Sequence, residues 1–174
     1  TRMTINGICG HSPDLSDAIV DRAMCHADNG YFLGDSDIVG HRLQTNMVSH
    51  TAYRGFGGPQ GMIMAEALID KIARTIGSDP LSVRKRNLYG PTTGTTTPYG
   101  MEVEHNLLPE MINELEQSAQ YWQRREAVSA FNRESPVIKK GLALTPVKFG
   151  ISFTAKHLNQ AGALVHIYTD GSIQ

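Results

Sequence analysis

The sequence feature that most constrains this chain is a dense glycine cluster followed directly by a helical repeat. Residues 51–61 read Thr-Ala-Tyr-Arg-Gly-Phe-Gly-Gly-Pro-Gln-Gly. Pro59 stands where a helix would begin, and apolar residues then recur at helical spacing up to a glycine cap at Gly77. A glycine loop that leads into a helix can form an anion site, because unpaired backbone N–H groups and the helix dipole point at the same place. The cluster is therefore predicted to be either a ligand site or a tight structural turn.

The spacing within the cluster excludes two familiar nucleotide motifs. No Gly-Lys-Ser/Thr follows, as a phosphate-binding Walker loop requires, and the run from Gly55 to Gly58 lacks the spacing and the preceding strand of a dinucleotide fingerprint. Arg54 and Phe56 flank Gly55. A cation and an aromatic ring beside glycine backbone suit a planar, electron-rich or anionic ligand. From the residues alone, a ligand site and a structural turn are equally supported.

A second informative feature is an arginine on the apolar side of a predicted helix. Ser12-Pro13 predicts a helix start, with serine as the N-cap, and the pattern continues to about Asp28. Arg22 lies seven residues beyond Leu15 and projects along the same apolar line. A guanidinium that faces inward must be paired or open onto a polar cavity. The residues alone favour an arginine that passes the helix edge or bonds a buried carbonyl, over one that binds a ligand.

The rest of the chain predicts an α+β fold, with helices in the first two thirds and a strand pair at the C-terminal end. Residues 1–136 form the helix-rich part, with the loop at 51–62, and residues 137–174 begin a strand-rich part. Residues 29–50 are interpreted as an irregular connection with short extended pieces. The predicted elements are a short basic helix from Asp79-Pro80 to Leu88, helices at Leu108–Ser118 and Tyr121–Arg133, and strands at Gly141–Thr154 and Ala161–Thr169.

The two ends of the chain suggest a fragment of a longer protein. The sequence begins at Thr1 without an initiator methionine. The Asp170-Gly171 turn predicts a hairpin, yet only three residues remain for the returning strand. The alternative is a short edge strand at a natural C-terminus.

Composition argues against several classes of protein. Sixteen basic and seventeen acidic residues give a net charge of −1, which does not suit a nucleic-acid binder or a polybasic membrane-surface protein. No apolar run approaches the roughly 18 residues of a membrane span. The two cysteines cannot form a disulfide framework, and the seven histidines lack zinc-site spacing and are interpreted as surface or packing residues. We therefore expect a cytoplasmic protein.

Several blocks together resemble one known family. Residues 51–62 are similar to the signature loop in the molybdenum-binding part of xanthine dehydrogenases, which are molybdenum hydroxylases. The resemblance covers nearly the whole chain in order. Its other blocks are 21–29, 45–46, 84–89, 148–154 and 158–172.

The resemblance implies roles for six residues. Arg54, with Gly55 beside it, matches positions that contact the molybdenum–pterin (molybdopterin) cofactor. No residue of the chain is a direct metal ligand. The remaining four match substrate positions: Arg22, Phe56, Phe153 and Thr154.

The substrate residues have distinct implied functions. Phe56 and Phe153 match two phenylalanines that hold the flat purine, where ring packing adds about 0.5–1.5 kcal/mol beyond burial. Thr154 matches a residue that touches the substrate. Arg22 matches an arginine that separates purine oxidisers from aldehyde oxidisers, through its attraction for charge that develops on the heterocycle.

The activity implied by the resemblance is hydroxylation of hypoxanthine and xanthine to urate in purine catabolism. The family passes electrons through 2Fe-2S clusters and FAD to NAD, from an Fe-S/FAD domain or subunit, and assembles as a homodimer or heterotetramer. Its catalytic base glutamate is expected beyond Gln174, so the isolated fragment is expected to be inactive. The alternatives are an aldehyde oxidase-type molybdenum hydroxylase, a non-catalytic module that keeps the fold, and a plain scaffold with a Gly-Gly-Pro turn.

Overall fold

The computed structural model describes residues 1–50, 52–153 and 156–174. Within these ranges the chain has an α+β fold with five α-helices and one pair of parallel strands, in agreement with the predicted fold class. None of the helices described is both long and apolar enough to cross a lipid bilayer. The elements are β1 (Arg2–Gly10), α1 (Ser16–Met24), β2 (Asp37–Gln44), α2 (Gly58–Thr75), α3 (Pro80–Asn87), α4 (Leu108–Ser118), α5 (Tyr121–Glu134) and a 3-10 turn at Lys156–Leu158.

The two strands form a β-α-β unit, with α1 as the crossover. β1 pairs with β2 in parallel, and a bulge between Ile8 and Gly10 ends the regular register. Val20 of α1 packs onto the pair over two glycines. A Cβ at Gly7 would lie 2.5 Å from Val20 Cγ2, and a Cβ at Gly40 would lie 2.7 Å from Val20 Cγ1. The interpretation of residues 29–50 as an irregular connection was therefore incomplete, since β2 is a regular strand of eight residues.

Helix α1 is shorter than its predicted span. It begins at Ser16 and ends at Met24, so the predicted N-cap at Ser12 and the end near Asp28 were wrong. Asp14 has a φ of 41°, a left-handed conformation that cannot continue a right-handed helix. The helix therefore starts after Asp14, and residues 25–30 follow as turns.

The other four helices lie where the sequence predicted them. α2 has Pro59 in its first turn, and Gly77 follows its end with a φ of 65°. α3 is capped by Asp79, whose Oδ1 accepts a hydrogen bond from the Leu81 N–H at 2.8 Å. The bounds of α4 and α5 agree with the sequence prediction within one residue. Prolines lie in the first turns of α2, α3 and α4, and Pro136 follows the end of α5, which begins without a side-chain cap.

Two small apolar clusters hold the helices together. The first lies between Tyr31, α2 and α3, and the second joins α3, α4 and α5 to the segment around Leu144. Their buried members are Tyr31, Ala65, Ile69, Ala73 and Val83 in the first cluster, and Leu81, Ile112, Tyr121 and Leu144 in the second.

The predicted C-terminal strands do not form regular ladders in the described residues. A single antiparallel bridge joins Ile167 to Ile173 around the Asp170-Gly171 turn, so the hairpin is present in its smallest form. The segment 141–153 has no regular secondary structure and no strand partner among the residues described. Ile151 and Leu164 are more than nine-tenths exposed. A strand is defined by its partner, and these segments find none within the described chain.

Candidate functional site

The glycine loop turns sharply in front of α2. Gly55, Phe56 and Gly57 have φ values of 91°, 50° and 96°, so three successive residues are left-handed. This is costly for phenylalanine, and such strain in a non-glycine residue is often found at functional sites. A Cβ at Gly57 would overlap the carbonyl oxygen of Ile19. The loop is therefore packed directly against α1, and this contact fixes where the Phe56 ring points.

Arg22 is buried, and the segment near residue 150 supplies its partners. Its side chain is 6% exposed, and its two terminal nitrogens donate hydrogen bonds to the carbonyl oxygens of Gly150 and Ser152. The guanidinium also lies over the Phe149 ring, 4.8 Å from the ring centroid. The inward arginine therefore bonds backbone carbonyls, and these belong to two exposed residues of the chain, Gly150 and Ser152.

Polar groups after α1 hold the same segment further upstream. The Asn29 amide nitrogen donates to the Pro146 carbonyl at 2.9 Å, and the Asn29 oxygen accepts from the Lys148 N–H at 3.0 Å. The Lys148 ammonium forms an ion pair with Asp28, which is fully buried. The segment 146–152, here called the strap, is therefore bound along the end of α1 by side chains rather than by a sheet.

His26 makes a further contact to the strap. It is 5% exposed; its Nδ1 lies 2.8 Å from the Arg22 carbonyl oxygen, and its Nε2 accepts a hydrogen bond from the Gly150 N–H at 3.0 Å. Because Nε2 is an acceptor, the proton of the neutral ring must be on Nδ1. Burial lowers the pKa of His26, and the positive charges of Arg22 and Lys148 act in the same direction. The ring is therefore neutral near pH 7.

The strap and the glycine loop bring two aromatic rings together. The centroids of the Phe56 and Phe153 rings are 4.8 Å apart, with an interplanar angle of 44°. Both side chains are half-buried. Phe149 packs over Gly58, where a Cβ would lie 2.5 Å from its ring. Two residues 97 positions apart in the chain thus form one partly open aromatic corner.

Arg54 and Thr154 differ from the other predicted site residues. Arg54 is exposed beside the N-terminus of α2, and it forms no hydrogen bond or ion pair with the residues described. A free cation next to glycine backbone at a helix N-terminus can hold an anion. Thr154 lies outside the described residues.

Sequence reasoning missed the residues that hold the strap. His26 was interpreted as a surface or packing residue, and Asn29 was not singled out, yet both bond the strap backbone. A signal was present in the spacing, since His26 lies one helical turn after Arg22 and so faces the same side. Nothing local in the sequence indicates that this side meets residues more than 115 positions away.

Comparison with known proteins gives the same assignment for both parts of the chain. A family profile described as the molybdopterin cofactor-binding domain matches residues 1–88, and a second profile of the same description matches residues 114–174. Xanthine dehydrogenase from Dictyostelium discoideum is 44% identical over 164 residues, and xanthine dehydrogenase/oxidase from Mus musculus is 46% identical over 164 residues. Each alignment covers 94% of this chain and 12% of the relative, so the chain spans about an eighth of their length.

Solved structures support the fold. Aldehyde oxidoreductase from Desulfovibrio gigas superposes with a TM-score of 0.64 at 30% identity, over 78% of this chain and 15% of that one. Aldehyde oxidoreductase from Desulfovibrio desulfuricans gives a TM-score of 0.65 at 26% identity, over 75% of this chain and 14% of that one. The first profile alone covers just over half of the residues, and the chain therefore belongs to the molybdopterin cofactor-binding domain family.

Proposed function

We propose that this chain is part of a xanthine dehydrogenase and supplies one wall of its purine pocket. The observation that carries the proposal is the pair of Phe56 and Phe153, whose rings meet at 4.8 Å beside the buried Arg22 cluster. Identity of 44–46% to xanthine dehydrogenases over 94% of the chain supports the same substrate class. The whole reaction, the oxidation of hypoxanthine and xanthine to urate, requires parts of the protein beyond this chain.

In this proposal the aromatic corner binds the flat face or edge of the heterocycle. Apolar rings exclude water and orient a planar ligand by offset or edge contacts. The present centroid distance is that of two rings in direct contact, so a purine held between them requires the rings to move apart. Both rings are half-buried, so part of the corner faces solvent, from which a ligand can enter. Thr154, next in the chain, is proposed to contact the same ligand.

Arg22 is proposed to favour purines through its charge. Its terminal nitrogens bond the strap, and its Nε–H has no acceptor within the described residues. The guanidinium lies beside the aromatic corner, because it bonds the carbonyl of Ser152, the residue before Phe153. Negative charge that gathers on a purine during attack at a ring carbon is stabilised by such a fixed cation.

The cofactor implied by the family fits the exposed loop. Arg54 has no hydrogen-bond or ion-pair partner among the residues described, and Gly55 beside it has a φ of 91°, a conformation that favours glycine. These features suit the anionic molybdenum–pterin group, and Arg54 and Gly55 are proposed to hold it. When bound, that group supplies the redox chemistry of ring hydroxylation. The protein's part is to bind, orient and exclude water.

The further assignments follow from the same proposal. The electrons leave through 2Fe-2S clusters and FAD to NAD, on an Fe-S/FAD domain or subunit, and the whole is a cytoplasmic homodimer or heterotetramer. The base glutamate lies in a part of the protein outside this chain. Purified alone, the 174-residue chain is expected to form no urate.

A second candidate function is aldehyde oxidation. Two aldehyde oxidoreductases share the fold with TM-scores of 0.64 and 0.65, which favours a molybdenum hydroxylase of either specificity. Aldehydes need no guanidinium at the position of Arg22, which is why its presence favours the purine assignment.

A non-catalytic module is the third candidate, and metal analysis of the full-length protein distinguishes it from an enzyme, because such a module should carry no molybdenum.

Substrate profiling of the full-length enzyme tests the purine assignment. We expect kcat/KM for xanthine to exceed that for an aromatic aldehyde, and Arg22→Met to lower the xanthine value by about 100-fold, the size of effect seen when one stabilising donor is removed. The aldehyde value should fall far less. An enzyme that prefers the aldehyde, with or without Arg22, would contradict the proposal.

Because Arg22 also bonds the strap, its loss could displace Phe153 as well. Arg22→Lys keeps a positive charge but lacks the planar pair of terminal nitrogens with which arginine bonds the two carbonyls. Phe153→Leu is the matched control, since it removes the ring without changing charge. If Arg22 acts through its charge, Arg22→Lys should retain more xanthine activity than Arg22→Met. Phe153→Leu should lower kcat/KM for purines and for aromatic aldehydes by similar factors.

A further inference from the structure

The strap, which leads directly into Phe153, is held by an unusual set of contacts. Its residues pair with no strand in the described chain, and its position comes from side chains of the α1 region. Arg22 accounts for two of these contacts and Asn29 for two others. His26 contacts the strap at Gly150, the same residue whose carbonyl Arg22 binds. Gly150 is thus held on both its N–H and its C=O.

His26 acts from a fixed position. Its Nδ1–H donates to the Arg22 carbonyl within α1 and the following turn, which orients the ring. Its ring lies 5.1 Å from that of Phe149, at an angle of 48°. On the α2 side, Gly61 lies against the backbone at His26 and leaves no room for a side chain. The imidazole therefore has one orientation, and in it Nε2 faces the Gly150 amide.

We propose that His26 is a positioning residue of the aromatic corner, which holds the strap at Gly150 in its neutral form and releases it when protonated. The proposal rests on the function proposed above for Phe56 and Phe153. It adds a residue that touches neither ligand nor cofactor but sets where the second ring stands. It also makes the pocket sensitive to acid.

The charges around His26 show why protonation breaks the contact. Protonated Nε2 carries a hydrogen and can no longer accept from the Gly150 N–H. The new cation would also lie close to the positive charges of Arg22 and Lys148. Within the described part of the chain, the anion that acts on His26 is Asp28, which is already paired with Lys148. A protonated His26 is therefore accommodated best when the strap moves away.

Because the pKa of His26 is lowered in the folded chain, the stability that this residue contributes decreases as the pH falls. Above about pH 6.5, the usual pKa of histidine, the ring is neutral in both folded and unfolded chains and the contact is complete. As the pH falls below this value, the unfolded chain takes up a proton before the folded one, so the stability contributed by the neutral ring is lost. The loss is complete once the pH passes the lowered pKa of the folded form.

Three variants of the full-length holoenzyme test the proposal. His26→Phe removes the acceptor but fills the space. His26→Gln places an amide oxygen near the position of Nε2 and cannot titrate. His41→Gln is the matched control, because His41 is an exposed histidine on β2. The measurements are kcat/KM for xanthine from pH 5.5 to 8, and hydrogen–deuterium exchange of the peptide that contains the Gly150 amide, normalised for the intrinsic rate at each pH.

The expected results differ between the variants. At pH 7.5, His26→Phe should lower kcat/KM by about 3- to 10-fold, the size of one lost aromatic contact. The difference from wild type should shrink at acid pH, where protonation of His26 removes the same contact. His26→Phe should also increase exchange of the Gly150 peptide. His26→Gln should keep most of the activity at pH 7.5 and should flatten the acid limb that wild type and His41→Gln show. If His26 only filled space, glutamine would not be expected to restore the activity at pH 7.5 and also remove the sensitivity to acid.

Two outcomes would overturn the proposal. One is unchanged protection of the Gly150 peptide in His26→Phe. The other is an acid limb in His26→Gln identical to that of wild type. The exchange measurement does not depend on the substrate, so these outcomes are distinct from a failure of the purine assignment. If the enzyme oxidised only aldehydes but Gly150 protection followed His26, the function proposed would be wrong and the positioning role would stand.

Discussion

The guanidinium of Arg84 lies at the centre of a buried polar network between α2 and α3. Its side chain is 2% exposed; Nε donates to a Glu66 carboxylate oxygen at 2.7 Å and a terminal nitrogen donates to Asp70 at 2.7 Å. Tyr31 and Asn29 donate to the other oxygen of Glu66. Burial acts to lower the pKa of Arg84, but the hydrogen bond and charge of Glu66 outweigh it and raise the pKa. The network therefore depends on one permanent cation.

Replacing that cation should destabilise the domain strongly. Arg84→Met leaves Glu66 without its positive partner, and breaking a buried pair from one side costs about 3–5 kcal/mol. We expect a loss near the lower bound, since Asp70 is partly exposed. Urea unfolding of the full-length protein measures it, with Arg86→Met, an exposed position on the same helix, as the control. Equal effects of the two variants would contradict the account.

Single residues also show how far the sequence predicts the site. The inward direction of Arg22 followed from helical spacing alone, and the structure shows this side chain buried and bonded to two backbone carbonyls. The placement of Phe56 and Phe153 in one corner agrees with the grouping implied by the resemblance. The role of His26 could not be predicted, because its partner Gly150 is 124 residues away and offers only a backbone group.

At the scale of elements, α1 and α2 meet through glycines rather than interlocking side chains. A Cβ at Gly61 would overlap the Ala23 carbonyl oxygen and would lie 3.0 Å from the Ala27 nitrogen. Gly57, at the start of α2, lies equally close to Ile19. The close approach of these two helices places the glycine loop beside Arg22. The geometry of the site therefore depends on the absence of side chains at this contact.

Gly61→Ala tests this contact through the sign of its effect. Helix propensity alone predicts that alanine in a helix interior stabilises the protein by about 1 kcal/mol over glycine. The overlap with α1 predicts the opposite, a loss of roughly 1–3 kcal/mol as the helices separate. Urea unfolding decides between them. Gly141→Ala, where a Cβ would meet nothing within 4 Å, should change stability by less than about 0.5 kcal/mol. Stabilisation by Gly61→Ala would contradict the packing described.

The elements differ in how well the sequence predicts them, for a physical reason. Helices α2 to α5 carry their own boundary signals, such as Pro59 and the Asp79 cap, so they were placed correctly. Strands depend on distant partners. β1 and β2 pair across more than 30 residues, and neither was predicted as a regular strand. Polar and apolar residues do alternate from Arg2 to Asn6, but this signal covers only five residues before Gly7. The strand predicted over 141–154 is the opposite case. It was predicted but does not form in the described chain, because no partner strand lies there.

At the scale of the whole molecule, the chain brings distant segments to one place. The loop before α2, the end of α1 and the strap come together, although the first and last are almost 100 residues apart. Arg54 is exposed beside this cluster, where a larger partner or cofactor can reach it. The chain spans about an eighth of its xanthine dehydrogenase relatives, so the rest of the proposed pocket must come from outside it.

The most direct test of the central claim is a structure of the full-length holoenzyme with xanthine or a purine inhibitor bound. The account predicts that the ligand ring contacts both Phe56 and Phe153, that their centroids move apart from 4.8 Å, and that the Arg22 guanidinium faces the heterocycle. A purine bound elsewhere, with the two phenylalanine rings still in contact, would contradict the assignment of this corner as the purine site.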